Sequence, residues 1–228
     1  FAIAPRTGKP AWTYRPAGGG SIVNSSIAAG PEGLHFVESP TPSKEGRVSY
    51  DEILGNGKGH LVTIDLNSGK TLRRIPLPAK KAVQSLYLVT AKGVLAVVNS
   101  RNEKTVRYDV RAYDAKDGKL IWEQTQDNRL KLNGSHGEQD KHPVILNGEL
   151  YVEPMGYNLL SGIPAEGRKL ALGGGCGALS ASANALYFRS RNPTAYLPST
   201  GKFKKITTGT THNRLITHWF NEDRNFAV

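Results

Sequence analysis

The segment from Ser135 to Pro143 sets His136, Glu138, Asp140 and His142 at every second position. In an extended chain alternate side chains share a face, so two imidazoles and two carboxylates would stand together. That donor set suits Zn²⁺ or another divalent ion. The competing reading is a polar loop, with Glu138 and Asp140 paired to lysines and His142 capping a corner. Spacing alone does not supply the four-ligand geometry that a site needs. Other chemistry-bearing residues are less organised. Cys176 is the one cysteine and has no internal disulfide partner. It lies in Gly-Gly-Gly-Cys-Gly, which lacks the Lys-Ser/Thr of a phosphate loop and is followed by strand-like alternation. Ser180 and Ser182 have no nucleophile-elbow context. His35, His60, His212 and His218 are isolated and expected to be structural.

The elements that must position these residues are announced by a repeat. Gly8, Gly69, Gly118, Gly162 and Gly201 each follow a small polar residue (Thr7, Ser68, Asp117, Ser161, Thr200), and Lys9, Lys70, Lys119 and Lys202 follow four of them. Trp12 and Trp122 stand four positions beyond Gly8 and Gly118, and the glycines are 61, 49, 44 and 39 residues apart. Each corner joins two β-branched and aromatic runs, a hairpin signal. Glycine supplies a positive φ without steric cost, and Asp65 and Asp114 are placed to accept backbone N–H groups across the turn. Repeats of this length built from short strands imply a β-propeller of four-stranded antiparallel blades, with four to five blades visible. Each tryptophan would pack on the next blade.

The runs YDAKDGKLIW and IDLNSGKTLR resemble the repeat of quinoprotein (PQQ-type) propellers, roughly A-x-D-x-x-T-G-x-x-x-W. HGEQDKHPVILNGELYVEP and GGGCGALSASANALYFRS are similar to PQQ-like repeat proteins of planctomycete-type bacteria. The resemblance covers about residues 1–208. In the other three copies the Asp place holds Ala4, Asn158 and Leu197. The Trp place holds Arg73, Glu166 and Lys205, so the last two copies match weakly. Such propellers usually have seven or eight blades. Phe1 already lies inside a repeat, so the chain reads as part of a larger ring. Residues 1–228 form a single partial propeller domain on this reading. A Pro-, Ser-, Gly- and charge-rich insertion at about 40–59 reads as a long loop, and 209–228 fits the repeat poorly.

The resemblance implies two functions. The first is a non-catalytic, periplasmic or otherwise extracytoplasmic scaffold that holds a protein or glycan on one rim and needs no cofactor. The second is a PQQ- and Ca²⁺-dependent dehydrogenase, in which Glu, Asn and Asp hold calcium and a vicinal cysteine pair covers the quinone. This sequence has no Cys-Cys pair, and no Glu/Asn/Asp set in it matches that pattern. The net charge of +11 comes from 30 Lys and Arg against 19 acids. The basic residues occur as scattered pairs such as Arg73-Arg74 and Lys204-Lys205, with no nucleic-acid motif, which fits a solvated surface and no nucleic-acid partner. Attraction to an anionic envelope surface is compatible with that charge. No apolar run reaches membrane-spanning length.

Overall fold

The computed structural model describes residues 1–42, 49–54, 57–78, 83–102, 105–128, 142–165, 179–189 and 193–205. The elements are antiparallel hairpins in chain order. β1 (Ala2–Ile3) pairs β2 (Pro10–Trp12). Next come β3 (Ser21–Ile22), β4 (Ala28–Gly30), β5 (Gly33–Ser39), β6 (His60–Ile64) and β7 (Thr71–Pro76), in the order β3-β5-β6-β7, with β4 also on β5. β8 (Val83–Ala91), β9 (Val94–Asn102), β10 (Val106–Asp114) and β11 (Leu120–Asn128) form a four-stranded meander. β12 (Val144–Leu146), β13 (Glu149–Val152) and β14 (Met155–Asn158) form a three-stranded one, extended by a bridge from Tyr157 to Pro164. β15 (Ser180–Ala181), β16 (Leu186–Arg189), β17 (Pro193–Leu197) and β18 (Lys202–Lys205) complete the series. Sequential up-and-down strands in repeated four-stranded sheets are propeller blades.

The chain divides into two compact units, Phe1–Glu103 with Arg107–Thr125, and Lys104–Val106 with Gln126–Val228. In the first unit, strand alternation sends successive side chains to two different cores. Phe36, Val62 and Ile64 pack with Trp12 and Tyr14 on one face of the β3–β7 blade. Val37 and Leu61 pack on its other face with Leu86, Leu95, Val97 and Tyr113 of the β8–β11 blade. A sheet buried on both faces must carry apolar residues at both parities, which is why Phe36 and Val37 in β5 and Leu61 and Val62 in β6 stand as adjacent apolar pairs. Each such side chain, fully buried, contributes about 1.5–3 kcal/mol before entropy. In the second unit Leu146 and Tyr151 pack with Leu186 and Tyr196 between the last two sheets.

The first strand of the β3–β7 blade is split. Ser26, fully buried, donates its hydroxyl to Val23 O (2.6 Å) and accepts Val37 N (2.9 Å), so one side chain replaces the ladder bonds lost between β3 and β4. The 40–59 segment is more than a loop. Ser49 and Glu52 form a reciprocal capping box on a one-turn helix, α1 (Tyr50–Ile53). Tyr50, Ile53 and Leu54 enter the core between the first unit's two larger blades. A single turn has no apolar period, so the sequence reading missed it; the Ser-x-x-Glu spacing was the available signal.

Two buried carboxylates in the blades are satisfied by an arginine and a hydroxyl each. Asp109, fully buried, accepts Arg101 Nε (2.6 Å) and Nη2 (3.2 Å) as well as Thr125 Oγ1 (3.1 Å). Glu38 accepts Arg74 Nη2 (2.7 Å) and the Tyr14 hydroxyl (2.5 Å). Burial and the Glu38 carboxylate push the Tyr14 hydroxyl up to about 12.

Candidate functional site

The repeated corner is built from the same few hydrogen bonds in successive blades. The N–H of each glycine donates to the carbonyl four residues earlier: Gly8 to Ala4 (2.9 Å), Gly69 to Asp65 (2.9 Å), Gly118 to Asp114 (2.8 Å), Gly162 to Asn158 (2.8 Å) and Gly201 to Leu197 (2.9 Å). The five glycines have φ between 64° and 76°, the left-handed region that disfavours a Cβ. The Asp65 carboxylate accepts the N–H groups of Asn67 and Ser68, and Asp114 accepts those of Lys116 and Asp117. The Asn158 side-chain oxygen Oδ1 accepts the N–H groups of Leu160 and Ser161, both at 3.0 Å. Asn158 therefore does what the aspartates do, since the turn uses one acceptor oxygen and no charge. The Ser68 hydroxyl, the foremost of Asp65's contacts, holds that carboxyl below its usual range.

The small polar residue before each glycine has its own task. Thr7, Ser68, Asp117 and Ser161 accept the N–H of the residue after the glycine. Asp117 also pairs with Lys119 at 2.8 Å, which holds its carboxyl low.

Two of the corners carry a docked side chain from the preceding blade. Trp12 lies across Gly69, where an added Cβ would stand 2.7 Å from the ring, and its indole N–H donates to Leu66 O at 2.9 Å. Arg73 lies across Gly118, where a Cβ would stand 2.6 Å from Nε, and its Nη2 donates to Ala115 O at 2.7 Å. Leu66 and Ala115 are equivalent residues, each following the corner aspartate. Arg73 thus fills the tryptophan place with a planar group that also carries donors. Reading it as a departure from the repeat missed this equivalence. Trp122, at the same place one blade later, is buried.

The corners also gather the surface's apolar residues. Among the described residues, every exposed large hydrophobic side chain except Phe1 and Ile27 lies within five positions of a corner glycine. Leu66 and Leu72 flank Gly69; Leu120 and Ile121 follow Gly118. Exposed Lys70 and Lys119 stand beside them. Arg73 ties the β7 outer strand to the next corner, so these two positions are neighbours in the first unit. An apolar surface rimmed by cations can hold a partner.

Of the proposed metal ligands, His136, Glu138 and Asp140 lie outside the described residues, as do Cys176, His212 and His218. His142 is described; burial pushes its imidazole below the ordinary histidine range. Among the described residues no three His, Cys, Asp or Glu side chains converge as a metal cradle. Ser182 Oγ lies 3.3 Å from both Asn184 Oδ1 and the Tyr187 hydroxyl, with no base beside it. His35 is fully buried with Nδ1 3.0 Å from Thr63 Oγ1. Nothing in the sequence around His35 marked it.

The fold and its glycine corners define an all-β repeat protein of the PQQ-blade class. The family model described as outer membrane protein assembly factor BamB matches residues 1–170, and the chain belongs to that PQQ-repeat family. No curated protein matches the chain. Among the described residues no helix is long and apolar enough to cross a membrane.

Proposed function

We propose that this chain is a non-catalytic, extracytoplasmic propeller module that docks a protein partner along its corner rim. One observation carries the reading: the exposed large apolar side chains of the described residues collect at the glycine corners, next to exposed lysines. Isolated surface leucines need no explanation, but apolar residues recurring at one structural position, as at the neighbouring Gly69 and Gly118 corners of the first unit, mark a contact surface. The family description, an assembly factor for outer membrane proteins, supports a protein partner and a place outside the cytoplasm. The titratable groups also favour a scaffold. Asp65 is committed to its turn's amides, Asp109 to Arg101, and Glu38 to Arg74 and Tyr14.

The alternative is a PQQ- and Ca²⁺-dependent dehydrogenase. A photo-crosslinking amino acid placed at Leu72 or Ile121 in the full-length protein in its native cells tests the proposal, with Ile27 as the exposed control. The expected result is a discrete protein adduct at Leu72 and Ile121 and none at Ile27. Equal labelling at all three positions overturns the rim. Retention of quinone absorbance after PQQ and Ca²⁺ are added and the protein desalted, with dye-linked alcohol oxidation, establishes the dehydrogenase instead.

A further inference from the structure

We propose that His35, Thr63 and Arg73 form an acid-released latch that holds the β7 outer strand to the corner of the following blade. Thr63 Oγ1 is shared by two groups, His35 Nδ1 at 3.0 Å and Arg73 Nη2 at 2.9 Å. The same Arg73 Nη2 donates to Ala115 O at 2.7 Å, and Nη1 donates to Lys116 O, both in the β10–β11 corner. Outside the shared apolar core, Arg73 ties β7 to the next corner, and its third anchor is Thr63.

A guanidinium only donates, so Thr63 accepts from Arg73. While the imidazole is neutral, the hydroxyl either donates its hydrogen to His35 Nδ1, with the ring's own hydrogen on Nε2, or accepts from Nδ1–H through its second lone pair. Protonation puts a hydrogen on both ring nitrogens. Thr63 then cannot donate to the ring, and its one oxygen lies between two cations, the imidazolium fully buried and the guanidinium half-buried. Like charges at that separation repel strongly when buried.

A carboxylate acts on each cation. His35 Nε2 is buried without a hydrogen-bond partner, and so is Glu32 Oε2, three residues earlier in the turn between β4 and β5. The Glu32 carboxylate already acts on the ring through its charge and favours an imidazolium. Arg73 is only half-buried and already feels the Asp117 carboxylate in the same corner it grips. The charges acting on the ring are Arg73 from β7 and Glu32 from the β4–β5 turn. Lys116, in the facing corner, is exposed and offers Arg73 its carbonyl. Burial first, then Arg73, hold the imidazole below its ordinary value, while Glu32 acts in the opposite direction. A histidine with a depressed folded-state value stabilises fully above the free imidazole's 6.5, and that contribution is lost as pH falls below it.

The test is an NMR titration of the full chain from pH 7.5 to 5, following the His35 imidazole, assigned by its absence in His35→Gln, and the Arg73 Nε–H signal. His35 is expected to titrate below 6.5, with the Arg73 signal broadening or vanishing along the same curve. In Thr63→Val the Arg73 signal no longer tracks that curve. The unfolding equilibrium constant of the wild type, relative to His35→Gln, is expected to rise by up to about tenfold per pH unit below the free imidazole value. An Arg73 signal unchanged while His35 titrates overturns the latch. So does a His35 that stays neutral until the chain unfolds. Neither outcome bears on whether the rim docks a protein.

Discussion

The two docked corners of the first unit solve one packing problem with different side chains. At Gly69 the guest is Trp12, a rigid ring held by one N–H donor. At Gly118 it is Arg73, a flexible stem ending in a guanidinium that reaches Ala115 O, Lys116 O and Thr63. The aromatic seam relies on area and shape, which depend little on pH. The guanidinium seam relies on donors, and Thr63 couples it to a titrating neighbour. A position that looks interchangeable in the repeat thus decides whether an interblade contact senses protons.

The sharpest way to break the comparison is to add one methyl group at each corner. Gly69→Ala places a Cβ 2.7 Å from an indole that cannot yield, on a backbone with φ 68°. A loss of about 3 kcal/mol is expected from left-handed strain plus overpacking. Gly118→Ala meets the stem of Arg73, which can shift, so about 2 kcal/mol is expected. Gly8→Ala and Gly201→Ala meet nothing within 4 Å and carry only the backbone term, about 1 kcal/mol. Urea unfolding of the four variants should rank them in that order. Equal losses at all four would mean that the docked side chains do not constrain the corners.

Removing the guests sharpens the same point. Trp12 is partly buried against Phe36, Val62 and Ile64, and Trp12→Ala should cost about 2–3 kcal/mol. In that background Gly69→Ala should fall to the cost of Gly8→Ala, a coupling that a double-mutant cycle reads directly. Arg73→Lys keeps the charge but loses the planar fork, and should cost about 1 kcal/mol through lost donors. Arg73→Trp would convert the second seam into the first and should lessen the pH dependence of stability between pH 7.5 and 5, leaving the larger part that burial of His35 contributes. If Arg73→Trp keeps the wild-type pH dependence, the difference between the seams is not electrostatic.

How much of this could be read in the sequence follows from what each feature leaves in it. The blades were legible because five glycine-ended corners recur in one register, each between runs of β-branched and aromatic residues. The equivalence of Arg73 with tryptophan and of Asn158 with aspartate was hidden. Residue names were being matched, while the corner selects a planar donor and an acceptor oxygen. The role of His35 left no signal, because its partners Thr63 and Arg73 are 28 and 38 positions away and only strand pairing brings them together. The helix α1 was missed for the opposite reason, since its capping box is local but too short to show a period.

The smallest expected effect bears most directly on what the corner recognises. Asp65 accepts two backbone N–H groups and the Ser68 hydroxyl through one carboxylate oxygen, Oδ1. Asn158 accepts the corresponding pair of N–H groups through an amide oxygen. If the acceptor alone matters, Asp65→Asn leaves the unfolding midpoint at neutral pH within experimental scatter, whereas Asp65→Ala lowers it. The carboxylate should still show itself in acid. Because the Asp65 carboxyl is held low, its contribution is present above the free aspartate value and is lost as pH falls through the depressed one. The wild type should therefore lose stability below about pH 4 more steeply than Asp65→Asn, whose amide does not titrate. Parallel curves in that range would show that the corner's carboxylate and an amide are equivalent even in charge, and that the aspartate there is a matter of geometry alone.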